Sequence, residues 1–109
     1  MGADALRAVR TRIEQGWSQS ADARDASGEA VPLGDDDARA WSLRGAFALA
    51  ATDGIPTNHV QPALRALAAL TEADSLAEWN DFPNRTQREV LDLLDSALAR
   101  MESGPVEPD

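Results

Sequence analysis

Large apolar residues recur at helical spacing along most of the chain, and this pattern predicts a helical fold. The first helix is predicted over residues 4–15, with Gly16 ending it, because apolar residues follow one another at intervals of three, four and four. These residues are Leu6, Val9, Ile13 and Trp17. A stripe of this kind is typical of a helix that packs one face against a core.

Three consecutive aspartates, Asp35 to Asp37, precede the second predicted helix, which extends over residues 38–52 with Trp41 on its buried side. Carboxylates at a helix N-terminus accept hydrogen bonds from unpaired amides and oppose the positive end of the helix dipole. Such a run could also hold a hard cation, but it lacks the spacing of a calcium loop. We therefore interpret it as a helix cap.

Two more long helices are predicted in the second half of the chain. The third begins at Thr57 or Asn58, either of which can cap it, and Pro62 fits only if it lies in the first turn. The last opens with a capping box, in which the Thr86 hydroxyl accepts from the Glu89 amide and the Glu89 carboxylate accepts from the Thr86 amide. Its apolar positions recur at helical spacing as far as Met101.

The segments between these helices carry turn-forming residues. A short helix capped by Asp74 or Ser75 is predicted to end near Trp79, where a turn over residues 80–84 follows. Residues 18–34 form a long loop, and Asp25-Ala26-Ser27-Gly28 within it permits a short ribbon between residues 20–24 and 29–31.

Composition supports the same fold class. Only five residues are aromatic and none of them is tyrosine, so much of the material that sheets favour is missing, while alanine and leucine suit close helix packing. The sequence predicts a mostly all-α fold, a compact bundle of about four helices plus one short helix, with a minor β-ribbon in the 18–34 loop. We expect one domain over residues 1–103 and a disordered tail over residues 104–109.

Charge and cysteine content exclude several classes of function. Ten cationic side chains, all arginine, face 19 carboxylates, so the net charge of −9 repels a phosphate backbone, and no predicted helix is a basic recognition helix. Without cysteine there is no disulfide, thiolate metal site or cysteine nucleophile. Residues 1–5 lack a basic segment before an apolar run, and charged residues interrupt the apolar stretches. We expect a cytoplasmic protein that binds neither nucleic acid nor membrane and has no cofactor or metal.

The segment Trp79-Asn80-Asp81-Phe82-Pro83-Asn84-Arg85-Thr86 carries a resemblance to a known family. It resembles the Trp-Asn-Asp-x-Pro-x-Arg-Thr motif of small bacterial and phage-associated proteins of unknown function. The similarity extends in order to Gly16-Trp17 and to residues 41–46, so it covers most of the chain. The resemblance implies a fold and no activity. It also implies cysteine after both tryptophans, where this chain has Ser18 and Ser42, so a role that needs a thiol does not carry over.

The same segment contains the first group of candidate site residues. Asn80, Asp81 and Arg85 bring an amide, a carboxylate and a guanidinium within six positions between two helices, which is compatible with a binding or active site. Alternatively, Asn80 and Asp81 satisfy backbone groups, Arg85 pairs with Asp81 to fix the turn, and Trp79 anchors it in the core. We favour this structural interpretation, because no nucleophile or second acid/base group accompanies the three residues.

Three other residues are candidates for a ligand site. Trp17 and Trp41 lie near the long loop and could line a pocket, although their spacing also suits core positions. His59 is the single histidine, and at a helix start it is more typical of a surface or capping residue than of a catalyst. Neither Ser18 nor Ser42 lies in a Gly-x-Ser-x-Gly elbow, so no catalytic triad follows.

These observations leave two functional hypotheses and favour a protein that is not an enzyme. The first is an acidic helical interaction module that works through a protein partner or through self-association. The second is a small-molecule-binding protein or small enzyme with a pocket near Trp17, Trp41 and the Asn80-Asp81-Arg85 corner.

Overall fold

Five helices and two short strands make up the part of the chain that the structure, a computed structural model, describes, namely residues 2–71 and 75–102. In chain order they are α1 (Ala3–Gln15), β1 (Ala23–Asp25), β2 (Ala38–Trp41), α2 (Leu43–Thr52), α3 (Thr57–Thr71), α4 (Leu76–Asp81) and α5 (Gln87–Glu102). Four helices are long and α4 is short, which confirms the predicted mostly helical fold with a minor β-ribbon. The predicted end of the domain at residue 103 and the tail over residues 104–109 lie outside the described residues.

Helix α1 is the central element of the core. Its predicted apolar stripe is fully buried at Leu6, Val9 and Ile13, and the helix contacts α2, α3, α5 and β2. Gly16 ends it, and the Gly16 amide donates to the Arg12 carbonyl at 3.2 Å. Trp17 lies beyond the helix and is only partly buried. Burial of this stripe therefore fixes the helices around α1, and the loop that follows Gly16 leads away toward α4.

Ion pairs add to the packing between α1 and α5. The Arg10 guanidinium donates to the Asp95 carboxylate at 2.5 Å. Arg7 pairs with Glu102, which lies nearer the C-terminal end of α5. The hydrogen bond from Arg10 holds the pKa of Asp95 below its ordinary value of 3.8, and it outweighs the opposing effect of partial burial. The charged form of Asp95 is therefore favoured in the folded protein.

The Asp95→Asn variant tests this link through pH. Because the pKa of Asp95 is lowered on folding, its contribution to stability is present above pH 3.8 and is lost as pH falls through the folded-state pKa. About half of the side chain is exposed, so we expect a loss of at most about 1 kcal/mol at pH 7 and a smaller loss at pH 3. Urea unfolding of the natural chain and of the Asp95→Asn variant at pH 7 and pH 3 measures this loss of stability. An equal loss at both would contradict the assignment.

The segment before α2 differs from its predicted structure. Residues Ala38–Trp41 form β2 and not the first turn of a helix, and they pair antiparallel with β1 through Ala23↔Trp41 and Arg24↔Ala40. The helix begins only at Leu43, because the Ser42 hydroxyl accepts from the Gly45 amide at 3.0 Å and so caps it.

The aspartate run consequently caps no helix, and that prediction was wrong. The Asp35 carboxylate accepts from the Asp37 amide at 2.8 Å, while the Asp35 carbonyl accepts from the Ala38 amide. The run thus satisfies the amides of its own turn. Local hydrogen bonding of this kind is a known alternative to capping for aspartate.

The predicted ribbon is present in altered form. The turn forms as expected, with the Asp25 carboxylate accepting from the amides of Ser27 and Glu29, each at 2.9 Å. Only a single bridge joins Arg24 and Ala30, however, and β1 makes its ladder with β2. The distant strand is the better partner because Trp41 is also anchored from the other side, where its amide donates to the Gly16 carbonyl at 3.0 Å.

The helix starts in the second half follow the sequence signals except in α3. The capping box is confirmed, with the Glu89 amide donating to Thr86 Oγ1 at 3.2 Å and the Thr86 amide donating to Glu89 Oε1 at 2.9 Å. Ser75 caps α4 through the Glu78 amide. In α3 neither predicted cap is used, since Thr57 and Asn58 are already helical and Pro62 lies inside the helix beyond its first turn.

Helix α3 starts one residue earlier than a cap at Thr57 would give, because the Pro56 carbonyl accepts from the amides of His59 and Val60, at 2.8 and 3.1 Å.

None of the helices in the described ranges is long and apolar enough to cross a membrane.

Candidate functional site

Asn80 is a buried polar residue that hydrogen-bonds to two other segments of the chain. Its side chain is fully buried at the end of α4, where Oδ1 accepts from Trp17 Nε1 at 2.7 Å and from the Leu43 amide at 3.2 Å. The Nδ2 group donates to the Ser18 carbonyl at 3.0 Å. One amide thereby joins α4, the start of α2 and the chain after α1. The donors and acceptors of Asn80 are used within the protein, so it has no capacity left for a ligand.

Asp81 joins the same network but keeps one oxygen free. Its Oδ1 atom accepts from Asn80 Nδ2 and from the Ser20 amide, each at 2.9 Å. The second oxygen, Oδ2, makes no hydrogen bond or ion pair within residues 2–71 and 75–102. The side chain is exposed, so Oδ2 is available to a molecule from solution.

The predicted ion pair between Asp81 and Arg85 does not form. The Arg85 guanidinium lies over the Trp79 ring at 3.8 Å, and its Nε donates to the Trp79 carbonyl at 2.9 Å. The Arg85 guanidinium also forms an ion pair with the carboxylate of Glu89, in the first turn of α5, at 3.7 Å. Since the Asp81 carboxylate is turned toward Ser20, the two side chains fix the corner separately.

The two tryptophans of the predicted pocket line none of the described cavities. Trp17 donates to Asn80, and Trp41 is 6% exposed with the Arg12 guanidinium over its ring at 4.8 Å. Trp41 Nε1 is buried and has no hydrogen-bond partner within the described ranges. Both indoles therefore contribute to packing, and neither offers an open face to the cavities.

His59 lies apart from the other candidates. Its Nδ1 atom is 2.8 Å from Asp4 Oδ2, which places it between the start of α1 and the start of α3. This hydrogen bond is the main cause that lowers the pKa of Asp4 below its ordinary value. No described contact connects His59 with Asn80 or Asp81, so the structure does not bring all six predicted site residues together.

A polar cavity of about 260 Å³ opens beside Asn80. The 18–34 loop, the start of α2 and α4 each contribute to its wall. Within it, Ser42 Oγ donates to Asp22 Oδ1 at 3.1 Å, and Arg44 Nε lies 3.7 Å from Asp22 Oδ2. The lining residues are Ser20, Ala21, Asp22, Ser42, Arg44, Ala77, Asn80 and Asp81. Two carboxylates and one guanidinium thus face a space that is large enough for several water molecules or a small polar group.

A larger groove of about 750 Å³ lies between α2 and α3 and reaches the start of α4; we call it the α2–α3 groove. It exists because alanine occupies the exposed positions 48, 51 and 68 on the facing helices, while Phe47, Val60 and Leu64 form a deeper apolar wall. Arg44 and Ala77 line both the groove and the polar cavity. The two spaces are therefore adjacent, and Arg44 stands where they meet.

Gly45 allows the polar cavity to have this shape. Its Cα lies so close to the backbone of Asp22 that a methyl group there would overlap the Asp22 carbonyl oxygen. The same carbonyl accepts from the Ser42 amide at 3.2 Å. Because Gly45 has no side chain, the 18–34 loop can pack directly against α2. This contact brings Asp22 next to Ser42 and Arg44.

Sequence reasoning identified Asn80 and Asp81 but missed Asp22, Arg44 and the groove. Asp22 lies in a loop without a periodic pattern, so nothing in the sequence indicates which helix it meets. The alanines at positions 48, 51 and 68 gave no signal of the groove, because alanine on consecutive helices is equally compatible with close helix packing. The described residues contain no group of three or more His, Cys, Asp or Glu side chains that could hold a metal ion.

Comparison with known proteins gives a family match. The model of the "Family of unknown function (DUF6197)" matches residues 2–100, which include α1 to α4, all but the last two residues of α5, and the lining residues of both cavities. Neither the curated proteins nor the solved structures gave a match.

Proposed function

Since the chain belongs to a family of unknown function that carries no activity to transfer, we propose from the site alone that it binds a small molecule with an apolar body in the α2–α3 groove. The observation that carries this proposal is the adjacency of the two spaces, an apolar groove of about 750 Å³ and a polar cavity of about 260 Å³ that share Arg44 and Ala77. A ligand would place its apolar body in the first and a polar end in the second.

The size and lining of the groove support a small ligand. Ligand pockets commonly enclose about 300–1,000 Å³ and combine apolar walls with a few polar groups that set orientation. Here the wall is formed by Phe47, Val60 and Leu64, and polar groups lie at the edges, among them Gln61 and Arg44. Burial of an apolar body there would be favourable by about 25 cal/mol per Å² of its surface removed from water.

The described surface supports a protein partner less well. A stable protein interface covers about 800 Å² on each side and is usually anchored by large apolar or aromatic side chains. Within residues 2–71 and 75–102, Phe82 is the one large apolar side chain classed as exposed, at 61%. The alanines of the groove give it depth without such anchors. An acidic interaction module therefore stays a prediction, and small-molecule binding is the function that the geometry favours.

A filled groove tests the proposal. Leucine at position 48 would add three heavy atoms to an exposed alanine that lines the groove, so it should exclude a ligand without disturbing the core. We expect the neutral dye N-phenyl-1-naphthylamine to bind the natural chain and to bind the Ala48→Leu variant about tenfold or more weakly, because overlap between the dye and the leucine side chain should cost about 1–3 kcal/mol, as added bulk does in a filled core. Dye fluorescence measures both affinities.

Ala99→Leu is the matched control, since Ala99 is an exposed alanine on α5 that does not line the groove. Its affinity for the dye should equal that of the natural chain. Absence of binding to the natural chain, or equal weakening by both leucine variants, would contradict the proposal.

A further inference from the structure

The polar cavity has an excess of negative charge. Asp22 and Asp81 contribute two carboxylates to its wall, and Arg44 contributes the single guanidinium among its lining residues. The chain as a whole carries a net charge of −9, so the surrounding field has the same sign. A positive group entering the cavity would therefore be attracted both by its walls and by the protein around it.

The free hydrogen-bonding capacity of the cavity is that of an acceptor. Asp81 Oδ1 is held by Ser20 and Asn80, so its position is fixed, and Oδ2 is left without a partner in the described ranges. Asp22 Oδ2 is 3.7 Å from Arg44, which is longer than a hydrogen bond, and about three-quarters of the Arg44 side chain is exposed. Both carboxylates can therefore accept from a donor without breaking a strong contact.

We infer that the molecule bound in the α2–α3 groove has a cationic end, a primary ammonium group, which the carboxylates of Asp81 and Asp22 hold in the polar cavity. This inference rests on the proposed function and names the class of ligand. Three N–H donors on a compact cation match two carboxylate oxygens and the Ser20 hydroxyl, which lines the same cavity.

An anionic end is the main competitor, because Arg44 lies where the groove meets the cavity. A carboxylate or phosphate paired with Arg44 would lie next to Asp22, whose Oδ2 is 3.7 Å from that guanidinium, and would share the cavity with Asp81. Like charges at such a distance oppose binding. The geometry therefore favours a cation over an anion and over a neutral alcohol.

Three probes with the same tail separate these chemistries. Octylammonium, 1-octanol and octanoate are titrated at pH 7 into the ¹⁵N-labelled chain, and the affinities are obtained from amide shifts in the groove. We expect octylammonium to bind about tenfold or more tightly than 1-octanol, because its hydrogen bonds to the carboxylates join two charged groups, and octanoate to bind most weakly. The advantage of octylammonium should shrink at high salt.

The Asp81→Asn variant removes the charge and keeps the fold contacts. An asparagine oxygen can still accept from Ser20 and Asn80, whereas its NH₂ group would replace the free Oδ2. We expect it to lose most of the preference for octylammonium over 1-octanol, because the ratio of the two affinities depends on the charge at position 81. Asp92→Asn, an exposed position on α5 outside both cavities, should change neither affinity.

The outcomes distinguish the two proposals. If 1-octanol and octylammonium bind in the groove with equal affinity, or if Asp81→Asn leaves the preference intact, the cationic end is wrong and the groove remains a binding site. If octanoate binds best, the competing anionic end is correct. If none of the three probes shifts the amides of the groove, the proposed function itself fails.

Discussion

Replacement of Asn80 by alanine is expected to lower the free energy of unfolding by about 3 to 5 kcal/mol, because it leaves several buried groups without partners. Trp17 Nε1 and the Leu43 amide would lose their shared acceptor, and the Ser18 carbonyl would lose its donor. Each buried group left unpaired costs about 1–3 kcal/mol. The variant also opens a void at a fully buried position.

Urea unfolding followed by tryptophan fluorescence measures this loss. Asn58→Ala is the matched control, since Asn58 is exposed at the start of α3 and none of the described hydrogen bonds involves its side chain. It should change the stability by no more than about 0.5 kcal/mol. A similar small change in Asn80→Ala would show that the amide network is dispensable and that α4 is held by packing alone.

Gly45→Ala is expected to destabilise the protein by about 2 kcal/mol, although alanine is normally the better helix residue by about 1 kcal/mol. The sign reverses because the added methyl group would overlap the Asp22 carbonyl oxygen, which belongs to the backbone and cannot rotate away. Relief of this overlap requires the 18–34 loop to move off α2. The contacts of Asp22 with Ser42 and Arg44 would weaken with it.

Thermal or urea unfolding determines the sign directly. Ser96→Ala, an exposed position on α5, is the control for helix propensity and should stabilise the protein slightly. If Gly45→Ala were also stabilising, the close approach of α2 and the loop would not exist as described, and the shape of the polar cavity would have to be revised.

The sequence specifies those parts of the fold that depend on periodicity and local capping. The stripe of Leu6, Val9 and Ile13 predicted α1, and the residues Thr86 and Glu89 predicted the start of α5, because both signals lie within a few residues of the structure they form. Residues 38–41 were assigned wrongly for the opposite reason. Their strand depends on pairing with β1 and on the Gly16 carbonyl, which are distant in sequence.

In the candidate site, too, the local features could be predicted from the sequence, and the contacts between distant segments could not. Asn80 and Asp81 stood out because they follow Trp79 in a turn, but their partners Trp17, Ser18 and Ser20 come from a loop about 60 residues earlier. The expected pair of Arg85 with Asp81 relied on sequence proximity, and stacking on Trp79 replaced it. The groove could not be located from sequence, because it depends on how α2 and α3 are placed against α1 and against each other.

The central claim is that an apolar ligand occupies the α2–α3 groove, and intermolecular NOEs between octylammonium and the protein side chains test it most directly. We predict NOEs from the terminal methyl and chain protons of the probe to Phe47, Val60 and Leu64, which form the wall of the groove. NOEs confined to the exposed Phe82 ring would contradict the claim, as would the absence of any NOE to the groove at saturating probe.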